Sequence, residues 1–197
     1  MIRTFALVSM TALTLAACQP PAEPTSAPTQ PPVVAPTPPV AANTLTAEGW
    51  GPLRIGMTLA EITAALGPDT DPGSVGGADP EACDQFRPER APEGMLLMVE
   101  EGRLSRISLI RASPLKTDRG FGLGDSAAAI KTAYGSAAVV EPNKYESAPA
   151  EYIAVAGPAP AETPTTERGI VYEIGGDGTV KAIHAGGPSI HYVEGCS

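Results

Sequence analysis

The sequence is poor in aromatic residues, basic residues and cysteines, and these shortages exclude several classes of protein. It has 13 Lys and Arg against 22 Asp and Glu, so its formal net charge is −9. That balance disfavours non-specific binding to nucleic acid, which needs cationic side chains to displace phosphate counterions. The 22 prolines and 21 glycines exclude a long coiled coil. No apolar run reaches the roughly 20 residues of an internal membrane helix. We therefore expect a modest folded domain with attached segments and no nucleic-acid partner.

The N-terminus has the layout of a secretory signal peptide. Arg3 precedes an apolar run over residues 5–15, which is too short to span a bilayer as a stable helix. The run ends in LAAC at residues 15–18, which resembles the lipobox of bacterial lipoproteins, where the chain is cleaved before a cysteine that carries a diacylglycerol. The resemblance implies a signal peptide over residues 1–17 and a lipidated Cys18. An ordinary signal peptide with a chance cysteine is the alternative.

The same resemblance implies a place in the bacterial cell envelope and a membrane contact through Cys18. In that family an Asp directly after the cysteine favours the inner membrane, whereas this chain has Gln19, so the outer membrane facing the periplasm is expected. Residues 18–43 contain nine prolines and one charged residue, Glu23. Because proline lacks an amide donor, we predict a disordered, extended spacer with a reach of up to about 75 Å. A proline-rich docking site is the alternative, although flanking basic residues are missing.

A motif that occurs twice organises the remaining residues, 44–197. The two copies are residues 53–67 and 121–135. Each copy begins with a short apolar stretch, followed by a glycine and a hydroxyl residue, Thr58 or Ser126. Apolar residues at helical spacing come next, and each copy ends at a glycine. Hydroxyl residues favour helix N-caps and glycine favours C-caps. Each copy therefore predicts one short helix. A helix of about nine residues is marginal alone, so each must pack on a sheet.

Apolar runs predict antiparallel strands after each helix. Hairpins with glycine in the turn are predicted at 95–109 and 170–183, and further strands at 82–87, 151–156 and 189–193. The predicted fold class is α+β, with two helix-plus-antiparallel-sheet repeats in tandem. The first repeat is assigned to residues 44–115 and the second to residues 116–197.

The first copy also resembles a known family motif. It reads GMT at residues 56–58 with Glu61 three positions after Thr58, which is similar to the helix motif of small outer-membrane lipoproteins of the barrel-assembly type. The duplication before two sheets resembles the tandem-repeat fold of β-lactamase inhibitory protein. The second copy departs from the motif, since Asp125 replaces Met57. The resemblance implies an architecture and assigns no binding residue.

Three cysteines separate into one lipid site and one pair. If Cys18 is lipidated, Cys83 and Cys196 remain, an even number in an oxidising compartment. We predict a disulfide between them that links the chain end to the first repeat. A catalytic thiol is the alternative, and it needs a neighbouring base in an electropositive setting.

Signals for metals and cofactors are weak, so none is predicted. His184 and His191 supply at most half of a zinc site and lack the usual ligand spacing. Four aspartates crowd a Pro- and Gly-rich loop at residues 69–84 without the calcium-loop pattern, which favours a solvated loop. The glycines at 120, 122 and 124 lack phosphate-loop spacing.

Three functions fit these patterns. The first is a non-catalytic, lipid-anchored envelope protein that binds or scaffolds an unknown envelope protein or cell-wall component. The second is a periplasmic enzyme inhibitor of the β-lactamase-inhibitory type, which needs exposed aromatic residues on a sheet face. The third is a hydrolase that uses His184 or His191 in a pocket. The candidate partner-binding residues are Tyr145, Tyr152, Tyr172 and Tyr192.

Overall fold

Strands dominate the regular structure of the chain. The computed structural model describes residues 43–73, 79–156 and 168–196. Within these ranges the two helices are α1 (Leu59–Leu66) and α2 (Ala127–Tyr134). The strands are β1 (Thr44–Leu45), β2 (Gly49–Trp50), β3 (Leu53–Arg54), β4 (Cys83–Phe86), β5 (Met95–Glu100), β6 (Arg103–Leu109), β7 (Lys116–Thr117), β8 (Ala138–Pro142), β9 (Glu151–Ala156), β10 (Gly169–Ile174) and β11 (Val180–Gly186). Two 3-10 turns cover Gly135–Ala137 and Pro188–His191.

Both helices begin and end at the predicted residues. Before α1, the Thr58 hydroxyl accepts the Glu61 amide at 3.3 Å, and the Glu61 carboxylate accepts the Thr58 amide at 2.8 Å, which completes a capping box. Before α2, the Ser126 hydroxyl accepts the Ala129 amide at 3.3 Å. Gly67 and Gly135 end the helices with φ of 87° and 54°, a region where glycine lacks the steric penalty of other residues.

The main sheet has seven strands in the order β4-β5-β6-β11-β10-β9-β8, and every neighbouring pair is antiparallel. Three neighbouring strands come from residues 83–109 and the other four from residues 138–186. The two sets meet where β6 pairs β11, with Leu109 opposite Ile183 and Arg106 opposite Gly186. The pairing makes one continuous sheet.

One face of the sheet carries the hydrophobic core. Ile62 of α1 and Ile130 of α2 are fully buried and belong to the same apolar cluster as inward-facing residues of the strands. The fully buried strand residues of this cluster include Leu97, Ile107, Ile153, Tyr172, Ile174 and Ile183. Because strand side chains alternate between faces, the intervening residues point to the opposite face. The prediction of a mixed helix-and-sheet chain is confirmed.

Two strand predictions need correction. Residues 189–193 were predicted as a strand, but this is wrong, because Pro188–His191 forms a 3-10 turn. Proline at the start of that turn already has the φ of a helix, and β11 already pairs with β6 and β10 on its two edges. The pattern also missed β8, where Val139 and Val140 are 59% and 43% exposed, so no alternation of buried and exposed residues marks it.

The structure describes residues 43–73, 79–156 and 168–196, and none of the helices there has the length and apolarity to cross a membrane. The predicted signal peptide over 1–17, Cys18 and all of the predicted spacer except Asn43 lie outside the described residues.

Candidate binding cleft on the outer face of the sheet

The face of the sheet opposite the core, which we call the outer face, carries polar side chains in register. Glu141, Tyr152 and Glu173 lie side by side on β8, β9 and β10. In the adjacent row, Val171 of β10 pairs His184 of β11, and His184 pairs Ser108 of β6. Directly opposed residues in antiparallel strands have Cβ atoms about 5 Å apart, so each row forms one continuous strip of side chains.

Residues 187–196, which we call the C-terminal segment, lie on this outer face. The Gly187 amide donates to the Ser105 carbonyl at 3.0 Å, and the 3-10 turn that follows contacts β6, β10 and β11. Ile190 is 6% exposed and so packs closely against the sheet. The segment covers part of the face and leaves the rest open.

A buried arginine holds the C-terminal segment in place. Arg106 is 3% exposed, and its Nη1 donates to the carbonyl oxygens of Ser189 at 3.0 Å and Tyr192 at 2.8 Å. No carboxylate of the described residues forms an ion pair with it. Burial lowers the pKa of Arg106. The negative charge of Glu100 raises this pKa by a smaller amount. Hydrogen bonds from a charged donor are each worth about 1.5–3 kcal/mol, so these two bonds restrain the segment.

The predicted disulfide fixes the far end of the segment. Cys83 on β4 is bonded to Cys196, with a Cα–Cα distance of 5.5 Å and a sequence separation of 113. Next to it, Gly195 has φ of 68°, and a Cβ built there would come within 1.9 Å of the Gln85 side-chain nitrogen. The positive φ favours glycine at this position, and a larger residue would displace the end of the Gln85 side chain. The disulfide prediction is confirmed.

The segment and the open half of the sheet enclose a cleft of about 300 Å³. Its lining residues are Glu141, Lys144, Tyr152, Ala154, Val171, Glu173, His184, Ile190, His191, Tyr192 and Val193. The floor comes from β8–β11, and one wall comes from the C-terminal segment. Without that segment the cleft would be an open sheet surface.

His184 is the most enclosed titratable side chain in the cleft. Its Nδ1 lies 2.9 Å from the Ser108 hydroxyl, and its Nε2 lies 3.8 Å from a Glu173 carboxylate oxygen. Burial lowers the pKa of His184, and the Arg106 charge acts in the same direction, while Glu173 opposes them. The imidazole is therefore neutral at neutral pH. Ser108 is 2% exposed, so its hydroxyl lies beneath the imidazole and away from solvent.

Tyr152 lies between two carboxylates and has an enclosed hydroxyl. The hydroxyl is inaccessible to solvent and has no hydrogen-bond partner of ordinary geometry in the described part of the chain. Burial is the main cause that raises the pKa of Tyr152, and the Glu173 charge adds to it, whereas the Lys144 backbone acts in the opposite direction. The tyrosine is thus a neutral donor whose proton has no acceptor.

A second hollow, which we call the groove, continues from the cleft past the disulfide. It has a volume of about 440 Å³ and shares Lys144, Tyr192 and Val193 with the cleft. Tyr145 and Tyr192, which are 68% and 48% exposed, stand at the junction. The Tyr145 hydroxyl donates to the Glu194 carboxylate, and this hydrogen bond raises the pKa of the tyrosine. Cleft and groove together form one tyrosine-rich surface.

The structure brings together three of the four predicted tyrosines. Tyr145, Tyr152 and Tyr192 line the cleft or the groove. Tyr172 as a partner-binding residue is wrong, because it is 0% exposed and its hydroxyl bonds Thr117 at 3.2 Å and Tyr134 at 2.9 Å within the core. Strand alternation decides this, since Tyr172 and Glu173 point to opposite faces.

The histidines also come together. His184 and His191 both line the cleft, as the hydrolase hypothesis requires. In residues 43–73, 79–156 and 168–196, no group of three or more His, Cys, Asp or Glu is placed to hold a metal ion. Sequence reasoning missed Glu141, Glu173 and Arg106. An arginine within the apolar pattern of β6 was the available signal for a buried polar contact.

No protein-family model, curated protein or solved structure matches the chain.

Replacing Arg106 with Met should free the C-terminal segment while the sheet stays folded. Two charge-assisted hydrogen bonds are lost, and the disulfide still tethers the chain end. We expect the amides of residues 189–196 to exchange hydrogen at least about tenfold faster in hydrogen-exchange mass spectrometry. Arg103→Met is the matched control, since Arg103 is exposed on the same strand. Unchanged protection in Arg106→Met would show that the arginine does not hold the segment.

His184 should make the protein less stable as the pH falls below about 6.5. The unfolded chain binds a proton near the ordinary pKa of 6.5, whereas the folded chain resists it because that pKa is lowered. Above pH 6.5, the neutral His184 thus makes its full contribution to the free energy of unfolding. As the pH falls from 6.5 to the pKa of His184 in the folded protein, this contribution is lost at up to about 1.4 kcal/mol per pH unit. Urea unfolding at about pH 8 and pH 5.5 measures the loss. His184→Gln should reduce it, and His191→Gln, at an exposed position, should not. An equal loss in His184→Gln would contradict the assignment.

Proposed function

We propose that this chain is a lipid-anchored envelope protein whose domain binds a partner, without catalysis, on the tyrosine-rich surface of cleft and groove. The observation that carries the proposal is that Arg106 and a disulfide fix the C-terminal segment over part of the sheet and so create a cleft. A preformed cleft lowers the ordering cost of binding. Tyrosine supplies large, rigid contact area at interfaces, and two of the three tyrosines here are well exposed.

The anchor part of the proposal rests on the N-terminal sequence. LAAC at residues 15–18 supports lipidation of Cys18, and Gln19 supports the outer membrane. The prolines of residues 18–43 support a spacer between membrane and domain. Two or more acyl chains hold a protein stably at a bilayer, so the domain would work within reach of the envelope.

The tandem-repeat interpretation belongs to the same proposal. It is supported by the shared start of the helices, which both have a hydroxyl N-cap and a glycine at the C-cap. It is also supported by the strand order, in which three strands of the main sheet follow α1 in the chain and four follow α2. A duplicated unit would explain why two short helices pack against one sheet.

An enzyme inhibitor is a narrower form of this function. Tyr145, Tyr152 and Tyr192 remain available for it, whereas Tyr172 is not. The interface of such an inhibitor would have to exceed the cleft and bury about 1,200–2,000 Å² in total. An enzyme recovered as the partner, with activity lost on binding, would favour this form over scaffolding.

A hydrolase is the second candidate, favoured by the shared cleft position of His184 and His191. The neutral His184 imidazole is in the state of a general base. Its hydroxyl neighbour Ser108 is 2% exposed, however, so a substrate carbonyl has no open approach to that oxygen. This burial supports binding over nucleophilic catalysis. Ester hydrolysis that disappears in both His184→Gln and His191→Gln would reverse the ranking.

Site-specific photo-crosslinking tests the proposed surface. With a photoreactive phenylalanine in place of Tyr192 or Tyr145, we expect a discrete crosslinked product in envelope preparations. The same residue at Leu59 should give none, because Leu59 is 47% exposed but lies on α1, which packs on the core face of the sheet. The partner is then identified from the product by mass spectrometry.

The variant Cys18→Ser tests the lipid anchor independently of the proposed partner-binding surface. It should abolish palmitate labelling and reduce crosslinking from position 192 in the envelope. Equal labelling in Cys18→Ser would refute the anchor, and equal products from positions 59 and 192 would refute the surface.

A further inference from the structure

We propose that the cleft binds the side chain of a lysine or arginine from a basic polypeptide partner. The inference rests on the proposed partner-binding function and names the chemistry that the surface recognises. Three properties of the cleft carry it: the sign of its charge, the arrangement of Tyr152 between two carboxylates, and its volume.

The charge of the cleft is negative. Among the described residues that line it, Glu141 and Glu173 are the carboxylates and Lys144 is the only lysine or arginine. His184 adds no positive charge at neutral pH, because burial lowers its pKa. The groove adds Glu100 and Glu194 and no further lysine or arginine. The buried Arg106 guanidinium, which bonds the Tyr192 carbonyl, is the second positive charge close to this surface. A cationic ligand therefore meets four carboxylates against one amine and one buried guanidinium.

The charge of the surrounding chain has the same sign. Residues 141–197 contain three Lys and Arg against eight Asp and Glu. A like-signed region raises the local concentration and the association rate of an oppositely charged partner. The field thus favours a basic polypeptide over an acidic one.

The central row of the cleft suits an extended cationic side chain. Glu141 and Glu173 flank Tyr152 on neighbouring strands, which places the two carboxylates about 10 Å apart with an aromatic ring between them. A lysine ammonium or arginine guanidinium can then pair with one carboxylate and contact the ring face. Ala154 and Val193, which are half-buried in the lining of the cleft, provide apolar surface for the methylene stem.

Tyr152 offers its ring and not its hydroxyl to a ligand. The side chain is half-buried, whereas its hydroxyl oxygen is inaccessible to solvent. The exposed part of the side chain is therefore the aromatic ring, which is the part that a cation contacts favourably. The groove that continues from the cleft, where Tyr145 and Tyr192 are exposed, favours a basic residue within a polypeptide over a free amine.

The volume limits what enters. About 300 Å³ lies at the lower end of the range for ligand pockets, which matches one long side chain and excludes a folded element. The flanking residues of the partner would then lie along the groove, where Tyr145 and Tyr192 are exposed.

Fluorine NMR of the full mature chain in detergent micelles tests this inference. The five tyrosines are labelled with 3-fluorotyrosine and assigned by Tyr→Phe substitutions. The probe is the capped peptide acetyl-Gly-Lys-Gly-amide, with the isosteric norleucine peptide and the glutamate peptide as comparisons. We expect the lysine peptide to shift the signals of Tyr152 and Tyr192 in a saturable manner. The signals of Tyr134 and Tyr172 should stay in place, since both rings pack in the core cluster.

Glu141→Gln/Glu173→Gln tests the carboxylates and should weaken binding of the lysine peptide about tenfold or more, a change of about 1.4 kcal/mol. Glu81→Gln/Glu93→Gln is the matched control, because both residues are exposed and neither lines the cleft. Unchanged core signals show that each variant is folded.

Three results would overturn the inference: no saturable shift with the lysine peptide, equal shifts with the norleucine or glutamate peptide, or unchanged affinity in Glu141→Gln/Glu173→Gln. Crosslinking from position 192 together with any of these results would retain the partner surface and reject a basic ligand. Lysine binding without a crosslinked product would retain the ligand chemistry and reject the proposed function.

Discussion

The hydrogen bonds from Arg106 to the C-terminal segment are the interaction on which the candidate site depends. The guanidinium is buried on the outer face, and its two acceptors are the carbonyls of Ser189 and Tyr192. A buried charge is costly unless it is hydrogen-bonded, so these carbonyls and the arginine require each other. Together with the bond from Cys83 to Cys196, they fix ten residues of irregular chain against a sheet.

This restraint explains why the two faces of the sheet differ. The core face receives both helices and a continuous apolar cluster. The outer face receives a short segment that covers the region near β6 and β11 and leaves β8, β9 and half of β10 open. A partial cover creates a cleft, whereas a full layer would have buried Glu141, Tyr152 and Glu173. The proposed binding surface follows from this incomplete coverage.

Local features of the fold and the disulfide could be predicted from sequence, the disulfide because two cysteines remain after Cys18 is set aside, whereas the noncovalent contacts between distant residues could not. Thr58 and Ser126 predicted both helix starts because a cap depends on neighbours three residues away. The strands at 95–100 and 103–109 were predicted because glycine and apolar runs mark a hairpin locally. Arg106 bonds carbonyls 83 and 86 positions away, and no local pattern shows that. Tyr172 was misassigned because its face depends on strand alternation across the whole sheet.

Crosslinking from position 192 in the variant Arg106→Met tests the central claim most directly. The claim is that the C-terminal segment, held by Arg106, forms the partner surface, so removing the two hydrogen bonds should reduce the crosslinked product at least about tenfold relative to the parent protein. Fluorescence of Trp50, which is 9% exposed in the core, reports whether the domain remains folded. A folded variant that gives the same amount of product would contradict the account.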